Sequence, residues 1–113
     1  GNALGRVDVE AGVFQPENME YVTGEYEAFI HDGESPDEVV FNISVECMDP
    51  DRCDRKLVEN QLIGRFLRYK HGLASQYYDG KLKISINFTG PGRLELLNQK
   101  GRPKRLIDRR KRA

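Results

Sequence analysis

Residues 38–47, EVVFNISVEC, decide how the rest of the chain is read. Val39, Phe41, Ile43, Val45 and Cys47 alternate with Val40, Asn42, Ser44 and Glu46, the period-2 pattern of a β-strand. One face is apolar and the other largely polar, which predicts a strand covered on one side only. Downstream, DPDRCD at 49–54 offers Asp51 or Asp54 as a helix cap. Val58, Leu62, Phe66 and Tyr69 then form a helical stripe, widened by Leu57, Ile63 and Leu67. Arg55, Lys56, Arg65 and Arg68 point mostly away from it. The spacing predicts a helix to about His71, with Gly72 as its stop. GKLKISINFTG at 80–90 repeats the strand pattern through Leu82, Ile84, Ile86 and Phe88, and Gly90-Pro91-Gly92 breaks it. RLELLN at 93–98 reads as a short final strand or turn.

Upstream, HDGESPDE at 31–38 is a turn. A first strand is expected over about Tyr26–His31. In FQPENMEYVTGEY, at 14–26, Pro16 suits the first position of a short helix. Met19 and Val22 would face the core, and Gly24 would end the segment. The order is α-β-β-α-β. It predicts an α+β fold, a small antiparallel or mixed sheet with two helices packed on one face, ferredoxin-like in outline. At 113 residues the chain is expected to be a single domain. Within it, residues 5–15 are an opening segment, to which the resemblance given below lends a hinge-like reading, 16–98 the α+β core and 99–113 a basic C-terminal segment.

The net charge of zero conceals an asymmetry. Residues 1–99 carry ten Lys/Arg against seventeen Asp/Glu, whereas residues 100–113 carry eight against one. An acidic body argues against a nucleic-acid platform over the whole surface, because it would repel phosphates. No apolar run approaches a membrane span, and no secretory signal opens the chain. A cytoplasmic location is therefore expected. GNALGRVD reads as a cloning remnant followed directly by folded sequence, which predicts an excised domain.

The soft metal ligands are His31, Cys47, Cys53 and His71. Neither C-x-x-C nor H-E-x-x-H spacing occurs, so no metal site is expected. Two cysteines imply no disulfide framework, and reduced thiols are the default. The sequons at Asn42 and Asn87 fall inside strand patterns and read as chance matches. There is no Gly-x-Ser-x-Gly elbow, no Walker loop and no G-x-G-x-x-G. A free-standing hydrolase or nucleotide-binding enzyme is not indicated. The remaining feature is NQKGRPKRLIDRRKRA at 98–113. Leu106 and Ile107 can anchor it to a core, and anchored cations behind a glycine suit a phosphate or carboxylate.

GRPKRLIDRR resembles the extreme C-terminus of the phenylacetate–CoA ligase and coenzyme F synthetase group of adenylate-forming enzymes. Members end in a Gly-Lys-x-x-Arg-type segment followed by an apolar pair, Asp and Arg. LGRVD at 4–8 resembles the Gly-Arg-x-Asp hinge that joins their adenylating domain to a small C-terminal lid. GVFQPENMEYV resembles the stretch after that hinge, and EVVFNISVE sits where the lid's central strand falls. The resemblance runs from hinge to end. It implies an ATP- and Mg2+-dependent ligase or synthetase, with those groups bound mainly by an N-terminal adenylating domain of the same chain. The lid closes over that domain to complete catalysis on a small-molecule acid or coenzyme, in some members with coenzyme A. The lean is towards the coenzyme F synthetase-like branch, some of whose members adenylylate a deazaflavin coenzyme. The isolated fragment is expected to be inactive.

Two departures matter. GRVDVEAGVF is several residues shorter than the related hinge hairpin, which bears on Asp8 and Arg6 as hinge residues. Arg102 stands where related lids carry a catalytic Lys. Arg keeps the charge without matching Lys geometry. Lys104, Arg102 and Lys100 are therefore alternative catalytic candidates, of which at most one is expected to serve. Gly101 and Arg105 are candidates for substrate or cofactor binding. The alternative reading is a small α+β binding module holding nucleic acid or another anionic partner with its basic tail. A third is a regulatory or oligomerising domain.

Overall fold

The computed structural model describes residues 4–95 and 105–111. Over these residues the fold is α+β, a four-stranded mixed sheet with three α-helices. Strand β1 (Val22–Asp32) and strand β2 (Val39–Cys47) form an antiparallel hairpin, with Tyr26, Ala28 and Ile30 opposite Val45, Ile43 and Phe41. The Gly33 N–H donates to the Glu38 carbonyl at 2.8 Å and closes the turn. Strand β3 (Leu82–Thr89) lies parallel to β2, and the short β4 (Leu106–Asp108) lies parallel to β1. The sheet order is β3-β2-β1-β4.

A parallel β2–β3 pair needs a crossover. Helices α2 (Arg55–Tyr69) and α3 (His71–Tyr78) supply it. Asp54 is the cap of α2, its carboxylate accepting the Leu57 N–H at 3.1 Å. Val58, Leu62 and Phe66 are buried, as the stripe predicts, but Tyr69 is 60% exposed. The helix ends at Tyr69 because Lys70 leaves helical geometry (φ −124°, ψ 80°), and a new helix begins at once. Gly72 is therefore no stop: it lies inside α3, which turns Leu73 into the core.

The N-terminal region differs most from its sequence reading. Residues read as a hinge form helix α1 (Arg6–Val13). Asp8 folds back to accept the Gly5 N–H at 2.8 Å, satisfying an orphan donor of the first turn. Val9 and Val13, four apart, are fully buried against α2. Gly12 lets the helices approach: a Cβ there would lie 3.0 Å from Leu62 Cδ2 and 3.2 Å from Phe66 Cε1. The short helix expected from Pro16 shrinks to one 3-10 turn, Pro16–Asn18. Asn18 is buried and its amide donates to the Gly12 carbonyl at 3.0 Å, closing the end of α1. Met19 is 45% exposed and does not face the core. Gly24 ends no helix. It sits within β1 at φ +99°, where the register with β2 shifts between Val22 and Tyr26, a bulge position that glycine accommodates.

The main core lies between the sheet and the helices, through Val13, Tyr26, Ile43, Val45, Leu62 and Phe66. The opposite face is not simply polar. Residues 90–95 return across it, with Leu94 and Phe29 buried. Glu46 is buried there and accepts from the Gly92 N–H at 2.9 Å and the Thr23 hydroxyl at 2.7 Å. Glu27, also buried, accepts the Glu95 N–H at 2.8 Å. Carboxylates survive burial here because backbone donors meet them. The expected one-sided covering of β2 fails for that reason. Among the described residues, no helix is long and apolar enough to cross a membrane.

Candidate functional site

The basic C-terminal segment enters the fold as a strand. The Ala28 N–H donates to the Arg105 carbonyl and the Arg109 N–H to the Ile30 carbonyl, each at 2.8 Å. Leu106, Ile107 and Asp108 stand opposite Ala28, Phe29 and Ile30. Leu106 packs against the main core, so the apolar pair anchors the segment as its sequence suggests. Lys100, Gly101, Arg102 and Lys104 lie outside the described residues.

Arg105 is placed just before β4 and is engaged on three sides. Its guanidinium pairs with the Glu25 carboxylate, donates to the Tyr26 carbonyl at 3.3 Å, and lies 5.6 Å from the centre of the Tyr26 ring. The Tyr26 hydroxyl donates to Glu10 Oε1 at 2.8 Å, and Arg6 Nε donates to the same oxygen at 2.7 Å. The hydrogen bond from Arg6, then that from Tyr26, holds the Glu10 carboxyl below its ordinary range. Burial, then the bond to Glu10, pushes the Tyr26 phenol well above its own. Arg6 and Arg105, ninety-nine positions apart in the chain, thus meet around one tyrosine and one glutamate. Asp8 lies a turn away, 3.5 Å from Lys70 Nζ. The cluster ties the start of α1 to the residue just before β4.

The cations after β4 are exposed but partnered. Arg109 lies over the Phe29 ring at 4.0 Å and pairs with Glu95 at 3.2 Å. Arg110 closes on Asp108 at 2.6 Å, and that side-chain bond, with the Arg110 N–H, brings the Asp108 carboxyl down to about 2. The Lys111 N–H donates to Asp32 Oδ2 at 2.8 Å. Arg109 to Lys111 therefore continue the edge of the sheet instead of fraying. Sequence reasoning missed this because β1 supplies the partners, some eighty residues upstream.

A groove between α1 and α2 was also not legible as a site. A cavity of about 240 Å³ is lined by Val7, Asp8, Ala11, Arg65, Tyr69 and Lys70, among others. It adjoins a second, of about 230 Å³, that shares Arg65 and Tyr69 and reaches Gly64 and Arg68. Arg65 lies 4.4 Å from the centre of the Tyr69 ring. Its signal in the sequence was an Arg65-x-x-Arg68-Tyr69-Lys70 run on the outward face of α2. Of the soft metal ligands, the fold brings Cys47 and Cys53 together, Sγ to Sγ 3.3 Å. Among the described residues no group of three or more His, Cys, Asp or Glu side chains is set to hold a metal.

No family model matches the sequence, and no curated protein matches it. Among solved structures, the chain is similar to a domain of phenylacetate-coenzyme A ligase from Bacteroides vulgatus ATCC 8482. The TM-score is 0.50 at 17% identity, covering 93% of this chain and 83% of that one. At that identity the likeness shows a shared fold.

Proposed function

We propose that this chain is the C-terminal domain of an ATP-dependent adenylate-forming ligase or synthetase, acting as a lid on an adenylating domain that precedes it. The observation that carries the reading is the fold shared with a phenylacetate-coenzyme A ligase domain over 93% of the chain. The order of short motifs from Gly5 to Arg110, which resembles that of this group, is in keeping with it. In such an arrangement ATP and Mg2+ are held by the larger domain, and the activated group is a carboxylate or a coenzyme. Acceptor chemistry separates the branches: a coenzyme A thiol in the acid–CoA ligases, a deazaflavin coenzyme in the synthetase-like branch.

The role of this domain is electrostatic and steric. One of Lys100, Arg102 or Lys104 would enter the closed site and stabilise negative charge that develops on the reacting oxygens. Closure would also exclude water. The anchored β4 suits this work because it fixes the C-terminal end of the basic segment. The reading as a nucleic-acid module is weakened by the described tail cations: Arg105, Arg109 and Arg110 are each matched by a carboxylate.

Joining the chain to a complete adenylating domain of this group allows ATP–pyrophosphate exchange and product formation to be measured separately. Lys100→Gln, Arg102→Gln and Lys104→Gln, made singly, should leave two variants near the parent activity. The third should lose about two orders of magnitude in one half-reaction, the usual scale for one charge-stabilising group. If all three together leave both half-reactions unchanged, the lid role is wrong.

A further inference from the structure

Cys47 ends β2 and is fully buried, whereas Cys53 sits half-exposed just before α2. The intervening turn brings them together: the Asp51 N–H donates to Asp49 Oδ1 at 3.1 Å and the Arg52 N–H to the Asp49 carbonyl at 3.0 Å. The Met48 N–H is fixed on the Tyr21 carbonyl at 2.9 Å, so the Cys47 side of the turn is held by β1. On the other side, Asp54 caps α2. The thiols are 3.3 Å apart, and a disulfide needs about 2.05 Å, an approach of roughly an ångström. Among the described residues no third His, Cys, Asp or Glu joins them as a metal-binding group.

We propose that Cys47 and Cys53 form a reversible thiol–disulfide exchange site for low-molecular-weight disulfides, with Cys53 as the attacking residue and Cys47 as the resolving one. Exposure assigns the order, since Cys53 is partly exposed and Cys47 is fully buried. Its thiolate attacks one sulfur of the disulfide, forming a mixed disulfide and releasing the first small thiolate. Cys47 then loses its proton to that thiolate and attacks the Cys53 sulfur, expelling the second small thiolate, which takes up the proton Cys53 had given to water. Two protein thiols are oxidised to one disulfide, and one small disulfide is reduced to two thiols. Burial pushes the Cys47 thiol up to about 12, with the Cys53 contact adding to it, which suits the resolving and not the attacking place. The product clamps the end of β2 to the start of α2.

The test uses the full chain, folded and reduced, incubated with oxidised glutathione and followed by intact mass and by titration of free thiols. The parent should lose both thiols and about 2 Da, with no retained adduct, and dithiothreitol should restore both. Cys47→Ala should retain a glutathione adduct of about 305 Da on Cys53, because nothing resolves it. Cys53→Ser changes only the half-exposed member and should leave Cys47 unmodified while the chain is folded. A stable adduct on the parent would overturn the proposal. So would two thiols that stay free in the parent under conditions where an exposed model thiol reacts. Should Cys47→Ala not fold, the parent and Cys53→Ser masses still decide the matter.

Discussion

Single carboxylates carry unusual responsibility in this chain. Buried Glu46 accepts from the Gly92 N–H and the Thr23 hydroxyl on the second face of the sheet, while both donors belong to exposed residues. Glu46→Ala leaves both donors without that acceptor. Both donors can turn to water, so urea unfolding should show a loss of about 0.5–1.5 kcal/mol, the net worth of a typical hydrogen bond. Glu46→Gln keeps one acceptor oxygen and should lose less. Asp108 makes a separate prediction in pH. Its folded value, about 2, lies below its ordinary one of 3.8, chiefly through the Arg110 side chain and then its N–H. A depressed carboxylate contributes stability that is complete above the unfolded value and is lost as pH falls through the folded value. The parent should therefore lose this contribution between about pH 4 and pH 2. Asp108→Asn should lack that component of the acid slope. Because the pair is exposed, the difference should be small and weaken in salt.

At the scale of elements, two helical glycines make opposite predictions. Gly64 lies mid-helix in α2, exposed, with nothing within 4 Å of a built Cβ. Gly64→Ala should raise stability by about 0.5–1 kcal/mol, the propensity difference in a helix interior. Gly12 sits in α1 where a Cβ would press on Leu62 and Phe66, side chains locked in the core. Gly12→Ala should destabilise by about 1–3 kcal/mol despite the better propensity. Thermal midpoints that move the same way in both variants would contradict this account of α1–α2 packing. The contrast also explains what was legible in sequence. Strands β2 and β3 and helix α2 announced themselves because each buries a periodic set of its own side chains. Helix α1 did not: its buried stripe is two valines and a glycine, and its cap is a single Asp8 reaching back to Gly5. The break at Lys70 and the exposure of Tyr69 follow from where α3 must turn, which α2's own periodicity does not contain. The bulge at Gly24 depends on pairing with β2, and β4 depends on β1. The apolar pair Leu106-Ile107 hinted at anchoring without naming its partner. The candidate site was readable only as separate names, because the Glu10 and Tyr26 that join Arg6 to Arg105 carry no motif.

For the molecule as a whole, that join is the feature that couples fold to proposed function. Arg6, Glu10, Tyr26 and Arg105 bolt the first helix to the last strand, so the point where the chain enters the fold and the end of the basic segment are held together. A lid must present one cation to a neighbouring domain within a fraction of an ångström, and a misplacement of about 1 Å can cost a hundredfold in rate. If β4 sets that position, loosening the residue just before it should injure catalysis more than stability. Arg105→Ala removes the Glu25 pair and the packing on Tyr26 while leaving the β4 backbone bonds and Leu106 in place. Glu25 is more than a third exposed, so the isolated chain should lose only about 1 kcal/mol in urea unfolding. In the joined enzyme, the half-reaction that depends on the basic segment should fall by about tenfold or more, with the other changed little. Arg109→Ala, just past the strand and paired with Glu95, should reproduce the small stability loss without the catalytic one. Equal catalytic effects from the two variants would mean that β4 stabilises the sheet generally and does not position the segment before it.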